Sequence, residues 1–401
     1  MTDRKLTPSL CPVCRGTNSV QLVNMTQVPA HCNLLWPTHA DATSAPRGDI
    51  QLAFCPECGH VFNDSFDPSL MEYTQDYENS LHFSPRFQQY ATSLAAGLVE
   101  RHDLHGKDIV GVGSGRGDFL QMLCEMGGNR GVGFDPSYGG QGGEGPVTFV
   151  QDFYSEKYTH YKADFISCRH VLEHIEAPVE FIEIVRRAVN GRQDTVVFFE
   201  VPNVLFTLRD LGIWDIIYEH CSYYSPHSLS RLFRQNGFRI LDVQPAFNGQ
   251  FLTIEAALQN DEPDSWTADS DDKKRMEQDA ATFAQDYREK VAGWRERLDA
   301  MTADGQCAVV WGAGSKGVTF MNILRTPVIE YVVDINPRKK GMHVAGTGQE
   351  IVPPDFLKEY QPDAVIIMNA NYKEEIAQML RDLGVNAEIL LALDHRNLRG
   401  F

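Results

Sequence analysis

Positive charge is scarce in this chain: 36 lysines and arginines face 54 aspartates and glutamates, a net charge of −18 over 401 residues. A nucleic-acid partner needs a basic footprint to displace counterions from phosphates, so the balance argues against that class. Long apolar runs are missing as well. None approaches the roughly 20 residues of a membrane span, and the polar start Met1-Thr2-Asp3-Arg4-Lys5 lacks the apolar core of a secretory leader. The expectation is a cytoplasmic protein with neither membrane nor nucleic acid among its partners. A disulfide framework is lacking too, because nine cysteines are an odd number and few for this length. They point to thiols and metal. What is present suits a globular protein: 43% hydrophobic and 22% charged residues. The length predicts two or three domains.

Two cysteine pairs stand out, Cys11-Pro12-Val13-Cys14 and Cys55-Pro56-Glu57-Cys58-Gly59. Each Cys-x-x-Cys turn aims two sulfurs at one centre, and two such turns complete a tetrahedral thiolate shell for Zn2+. Cys11, Cys14, Cys55 and Cys58 fill all four positions, so the metal is expected to be structural, in a domain over residues 1–70. His31, Cys32 and His60 read as ordinary neighbours of that site.

Residues 71–260 carry a nucleotide-binding pattern. The apolar Asp108-Ile109-Val110 enters a glycine turn, Gly111-Val112-Gly113-Ser114-Gly115-Arg116-Gly117, which runs into the helix-like Asp118–Leu123. A second apolar stretch, Gly131-Val132-Gly133-Phe134, ends in Asp135. Gly113, Gly115 and Gly117 let a ligand approach the backbone, and Asp135 can accept bonds from both ribose hydroxyls. Asp152 and Phe153, after the strand Val147–Val150, offer a polar group and an aromatic cover for an adenine ring. The segment 163–175, a buried strand leaving into a loop and helix, and the buried strand 195–202, with a helix opening at Pro178 between them, extend a doubly wound parallel α/β sheet whose ligand sits outside the carboxyl ends.

Past the fifth strand comes Tyr218-Glu219-His220-Cys221-Ser222-Tyr223-Tyr224-Ser225. A histidine beside a glutamate can act as a base for a proton next to a carbonyl; read alone, His220 could equally brace a loop. Residues 261–401 open with an amphipathic pattern (Met276, Ala280, Phe283, Tyr287, Val291, Trp294, Leu298). A second turn follows, Trp311-Gly312-Ala313-Gly314-Ser315-Lys316-Gly317, and a strand ending in Asp334. This fingerprint fits an NAD(P)-dependent oxidoreductase, or a Rossmann-like domain that grips substrate.

Through Gly113–Gly117, Asp135 and His170-Val171-Leu172-Glu173-His174-Ile175, the chain resembles the class I S-adenosylmethionine-dependent methyltransferases. It departs from them at Gly111, where an acid is usual. In that family the 170–175 run marks a strand end beside the cofactor, which implies a cofactor contact for His170 and no direct chemistry for Glu173 or His174. The whole chain resembles the sugar C-methyltransferases, which act on nucleotide-linked keto-deoxysugars. The 218–225 motif matches theirs, with Cys221 where leucine is common, and the C-terminal domain matches through Lys316-Gly317, the 334–341 segment and Gly346-Thr347-Gly348.

The resemblance implies three parts: a small zinc-binding domain, a doubly wound methyltransferase core and a second Rossmann-like domain. It implies S-adenosylmethionine as cofactor, His220 as base, Glu219 as its assistant, and Tyr218 and Tyr223 on the substrate wall. Asp76-Tyr77 matches a motif that puts Tyr77 at the active site, with Asn79 where a second tyrosine is usual. The substrate, a small nucleotide-sugar, would lie between the last two domains. There Lys316 and the amides near Gly314 could hold a diphosphate. Asn369-Ala370-Asn371 stands where Pro-Trp-Asn is common, leaving Asn371 as a contact. Methylation of another small natural-product intermediate is the near alternative. Monomer and homodimer both remain open.

Overall fold

The structure is a computed structural model that describes residues 10–71, 77–140, 145–260, 262–265, 267 and 272–393. Asp76 lies outside the described residues. The chain opens with strands β1 (Val20–Pro29), β2 (Arg47–Cys55) and β3 (His60–Asn63), an antiparallel meander. The central part supplies β4 (Asp108–Val112), β5 (Arg130–Phe134), β6 (Val147–Val150), β7 (Phe165–Arg169) and β8 (Val196–Pro202). It continues with the two-residue β9 (Ser222–Tyr223), then β10 (Phe238–Ala246) and β11 (Phe251–Leu258). The C-terminal part adds β12 (Ala308–Trp311), β13 (Ile329–Val333), β14 (Glu350–Val352), β15 (Ala364–Ile367) and β16 (Glu388–Leu391).

The central sheet has the order β10-β11-β8-β7-β4-β5-β6, and only β11 runs against the rest. Strand order reverses at the β4–β7 boundary, and a crevice opens there beyond the carboxyl ends. The C-terminal sheet, β14-β13-β12-β15-β16, is wholly parallel and has its own reversal between β12 and β15. This is the mixed α/β architecture of the sequence reading, two doubly wound sheets and a small N-terminal unit.

Local chemistry explains the helices that frame the site. Ser84 caps the helix Pro85–Arg101 by accepting from the Phe87 amide, and Pro85 has no amide to leave unpaired. Ser225 and Ser228 form a reciprocal capping box that starts the helix Pro226–Gln235 directly after the 218–225 motif. The long helix Asp272–Ala303 buries Met276, Ala280, Phe283, Val291, Trp294 and Leu298 along one stripe. That stripe enters one core with Leu22 and Ile50 of the N-terminal sheet, Trp214 and Tyr223 beside the motif, and Val310 and Ile366 of the C-terminal sheet. Among the described residues no helix is long and apolar enough to cross a membrane.

One connection joins the N-terminal unit to the central one in a way no local pattern announces. Strand β9 pairs antiparallel with β3, Val61 opposite Tyr223 and Phe62 opposite Ser222, and becomes the fourth strand of the N-terminal sheet. The loop that carries His220 is therefore sewn onto the chain segment that leaves Cys58.

Candidate active site

The four paired cysteines converge. Sγ of Cys11 lies 3.5 Å from that of Cys58, Sγ of Cys14 lies 3.5 Å from that of Cys55, and all four sulfurs fall within 4.8 Å of one another. A tetrahedron of zinc–sulfur bonds has edges of about 3.8 Å, so the donor set fits one thiolate-bound Zn2+. The Gly16 amide points at Cys14 Sγ, 3.4 Å away, as in a metal knuckle.

The cofactor candidates sit at the carboxyl ends of four neighbouring strands: the glycine turn after β4, Asp135 after β5, Asp152 and Phe153 after β6, His170 after β7. Gly115 has φ +55°, and a Cβ there would project into open space, so the backbone at this turn is open to close approach. Asp135 locks the turn: Oδ2 accepts from the Gly115 amide at 2.7 Å and Oδ1 from the Ser137 amide at 2.9 Å. Asp152 accepts from the Tyr158 hydroxyl at 2.6 Å, and that bond, with Lys157, holds its carboxyl below the usual range. Phe153 is 59% exposed, unusual for a phenylalanine and consistent with an aromatic cover. These residues fit an adenosyl cofactor.

His170 adopts φ +55°, a left-handed conformation that costs a non-glycine residue about 1 kcal/mol or more. Its Nε2 stands 2.9 Å from Oε1 of Glu200, which Arg169 also grips at 2.7 Å while the Tyr90 hydroxyl holds Oε2. Burial opposes a charge on His170, but the carboxylates of Glu173 and Glu200 outweigh it and raise its pKa to about 9. Burial likewise opposes ionisation of Glu200, and Arg169 and His170 overcome it, holding the carboxyl down to about 2.

Next to this edge lies a cavity of about 270 Å³, where the carboxyl ends of the central and C-terminal sheets face each other. His220, Tyr77, His170 and Lys316 line it. His220 is buried, and its Nδ1 has no hydrogen-bond partner. Burial pushes its pKa well below 6.5, helped by the charges of His174, His170 and Lys316 and opposed by the Asp215 carbonyl. These influences favour the neutral imidazole in a residue that lines the cavity. Lys316 Nζ reaches Asp215 at 2.7 Å, tying the C-terminal glycine turn to the wall beside His220.

Glu219, Tyr218, Tyr223 and Asn371 are not brought to the cavity wall. The Glu219 carboxylate turns to the N-terminal unit, accepting from the Cys32 amide at 3.1 Å and facing His31 Nδ1 at 3.6 Å. Tyr218 accepts from the Asp67 amide at 2.8 Å, and Tyr223 donates to the Ile217 carbonyl at 3.0 Å, so both phenols brace the loop. Asn371 donates to the Phe247 carbonyl at 3.1 Å and so joins the C-terminal domain to the β10–β11 hairpin. Each is held by a polar partner: Glu219, Tyr218 and Asn371 by groups far along the chain, and Tyr223 by the Ile217 carbonyl six residues away. Asn33, Glu173 and His174 line the cavity instead, three residues that sequence reasoning gave no chemical role. Glu173 and His174 stood in the quoted motif; Asn33 carried no signal.

The second glycine turn mirrors the first with one difference. Asp334 accepts from the Ala313 and Asn336 amides at 2.9 and 2.8 Å, as Asp135 does from its own turn. Here, however, the buried Lys339 ammonium sits 3.5 Å from Asp334 and donates to the Ala313 carbonyl at 3.0 Å. A dinucleotide's ribose needs that acid open, and an ammonium occupies its flank.

Two family models divide the chain: a methyltransferase domain matches residues 86–243 and a C-methyltransferase C-terminal domain matches residues 256–389. The C-methyltransferase NovU of Streptomyces niveus is 25% identical over 393 residues, covering 91% of this chain and 90% of that protein. Among solved structures, magnesium protoporphyrin IX methyltransferase from Synechocystis PCC 6803 with bound S-adenosylhomocysteine aligns with 43% of this chain and 84% of its own, at 19% identity and a TM-score of 0.34. A 1,6-didemethyltoxoflavin-N1-methyltransferase from Burkholderia thailandensis aligns with 50% of this chain and 96% of its own, at 15% identity and a TM-score of 0.33. With the two family models meeting end to end and a relative matched over nearly its whole length, the chain belongs to the S-adenosylmethionine-dependent C-methyltransferases.

Proposed function

We propose that the enzyme methylates a carbon adjacent to a ketone on a nucleotide-linked keto-deoxysugar, with His220 as the base. The observation that carries this reading is the buried, unpartnered Nδ1 of His220 in a cavity between the cofactor edge and the C-terminal domain. A neutral imidazole can take a proton from a carbon made acidic by a neighbouring carbonyl. The electron pair left behind spreads onto the carbonyl oxygen as an enolate. S-adenosylmethionine supplies the chemistry of an electrophilic methyl group on positive sulfur, presented from the Gly113–Gly117 and Asp135 side.

Tyr77 lines the same cavity and would help hold the acceptor. Lys316 and the amides that start the helix Ser315–Leu324 give the cavity a positive end suited to a diphosphate. Cys11, Cys14, Cys55 and Cys58 would hold a structural Zn2+ that takes no part in the transfer. A nicotinamide-dependent reaction at Gly312–Gly317 is disfavoured by Lys339 against Asp334.

The test is incubation of the purified protein with methyl-13C-labelled S-adenosylmethionine and a panel of nucleotide-linked keto-deoxysugars. A new carbon-bound methyl resonance in one acceptor is the expected result. Methyl transfer to oxygen or nitrogen only would overturn the carbon chemistry. Calorimetric binding of NADH without S-adenosylhomocysteine binding would overturn the whole reading.

A further inference from the structure

The cavity contains a carboxylate, but it is not the one next to the base in sequence. Glu173 is 1% exposed, and neither of its carboxylate oxygens has a hydrogen-bond partner. Its charged neighbour is His170, whose Nδ1 lies 3.5 Å from Oε1. One oxygen of Glu173, one ring nitrogen of His174 and one of His220 all lie within 4.8 Å of one another. The His174 ring is oriented by its Nδ1, which donates to the Glu219 carbonyl at 2.9 Å. The turn that aims Glu173 inward follows the left-handed His170 and is a single 3-10 turn, Leu172–His174.

We propose that Glu173 is the positioning carboxylate of the base, stabilising the proton that the His174–His220 pair receives from the substrate. This deepens the reading of His220 as base and rests on it. When the acceptor's C–H bond breaks, the proton bonds to His220 and the electron pair enters the enolate. The enolate carbon then forms the new C–C bond as the S–CH3 bond breaks, leaving its electrons on sulfur. One positive charge disappears from sulfur, and one appears on imidazole. In a buried site near Lys316 and the charged His170, a further cation is unfavourable unless an anion lies close. Glu173 is that anion. Glu219 cannot take its place, because its carboxylate is turned to Cys32 and His31.

The groups facing the pair are His170, Lys316, Asp215, the Tyr223 ring and the Glu219 carbonyl. The experiment follows imidazole 15N shifts in the full-length, zinc-loaded chain from about pH 9 down to the acid limit of folding, because burial holds His220 well below the ordinary imidazole range. It compares wild type, Glu173→Gln and Glu173→Asp, with His174→Gln and His220→Gln for assignment. In Glu173→Gln, protonation of His174 or His220 is expected to move to lower pH by about one unit or more. Glu173→Asp should restore part of that shift, and it carries the test if the glutamine variant does not fold. Unchanged shifts at both rings in a folded variant overturn the proposal. So does a second tightly bound metal ion per chain that is lost in Glu173→Gln, since the three side chains would then be ligands. The measurement uses no acceptor, so its outcome is separable from any error in the substrate or in the base.

Discussion

Glu219 faces His31 across 3.6 Å, with both side chains almost wholly shielded from solvent. The residue preceding the proposed base thus belongs, by its contacts, to the N-terminal unit. Together with the β3–β9 pairing this makes the metal-binding segment the anvil on which the His220 loop is shaped. Removing either support should disturb the base and leave the cofactor edge, which lies on other strands, largely intact.

Elemental analysis should therefore find one zinc per chain, held by the four cysteines. Cys58→Ser or prolonged chelation should abolish methyl transfer while S-adenosylhomocysteine binding by calorimetry changes by no more than a few-fold. A metal-free chain with full activity would sink the structural-zinc proposal.

Asp135 holds the glycine turn through the Gly115 amide, and under the proposed function its carboxylate would also bind the cofactor's ribose. Charge-assisted bonds contribute about 1.5–3 kcal/mol each. Asp135→Ala should weaken S-adenosylhomocysteine binding by roughly 10²-fold, as calorimetry would record, and should also lower the melting temperature, because the Gly115 and Ser137 amides lose their acceptor.

Replacing the base gives the opposite pattern. His220→Gln should lower kcat by roughly 10²–10⁴-fold, the range for loss of a general base, with cofactor affinity preserved. A variant retaining more than about a tenth of wild-type turnover would rule out proton transfer through His220.

Lys316 is one of the positive groups that keep His220 neutral. The base acts when deprotonated, so kcat/KM should hold at neutral pH and fall only as acid protonates the ring. Lys316→Met removes a nearby cation and makes protonation easier. Its acid limb should therefore lie at higher pH than that of the wild type, read from kcat/KM profiles.

The raised pKa of His170 makes a statement about stability. A group lifted from an ordinary 6.5 to about 9 stabilises the folded chain fully below pH 6.5 and loses that contribution as pH rises through about 9. The melting temperature should fall across that window. His170→Gln should flatten the slope, whatever its effect on activity.

Much of this molecule is written in short-range pattern. The cysteine pairs, both glycine turns with their acids, the proline- and serine-started helices and the strand alternation depend on neighbours within about a turn or a strand of chain. A sequence displays such features directly. The stripe from Met276 to Leu298 was equally legible as a helix, though not the fact that it unites the N-terminal and C-terminal sheets in one core.

Tertiary structure alone decided which charged group faces the cavity. Tyr218 and Glu219 lie in a turn closed by the His220 amide on the Ile217 carbonyl, so a motif names Glu219 and His220 without saying which of them looks inward. Strand β9 settled it by pairing with β3, which turned Glu219 to His31 and left His220 facing a carboxylate from the turn after β7. Sequence fixes which functional groups the chain possesses; their mutual distances come from strand pairing between segments far apart in the chain, which no local pattern encodes.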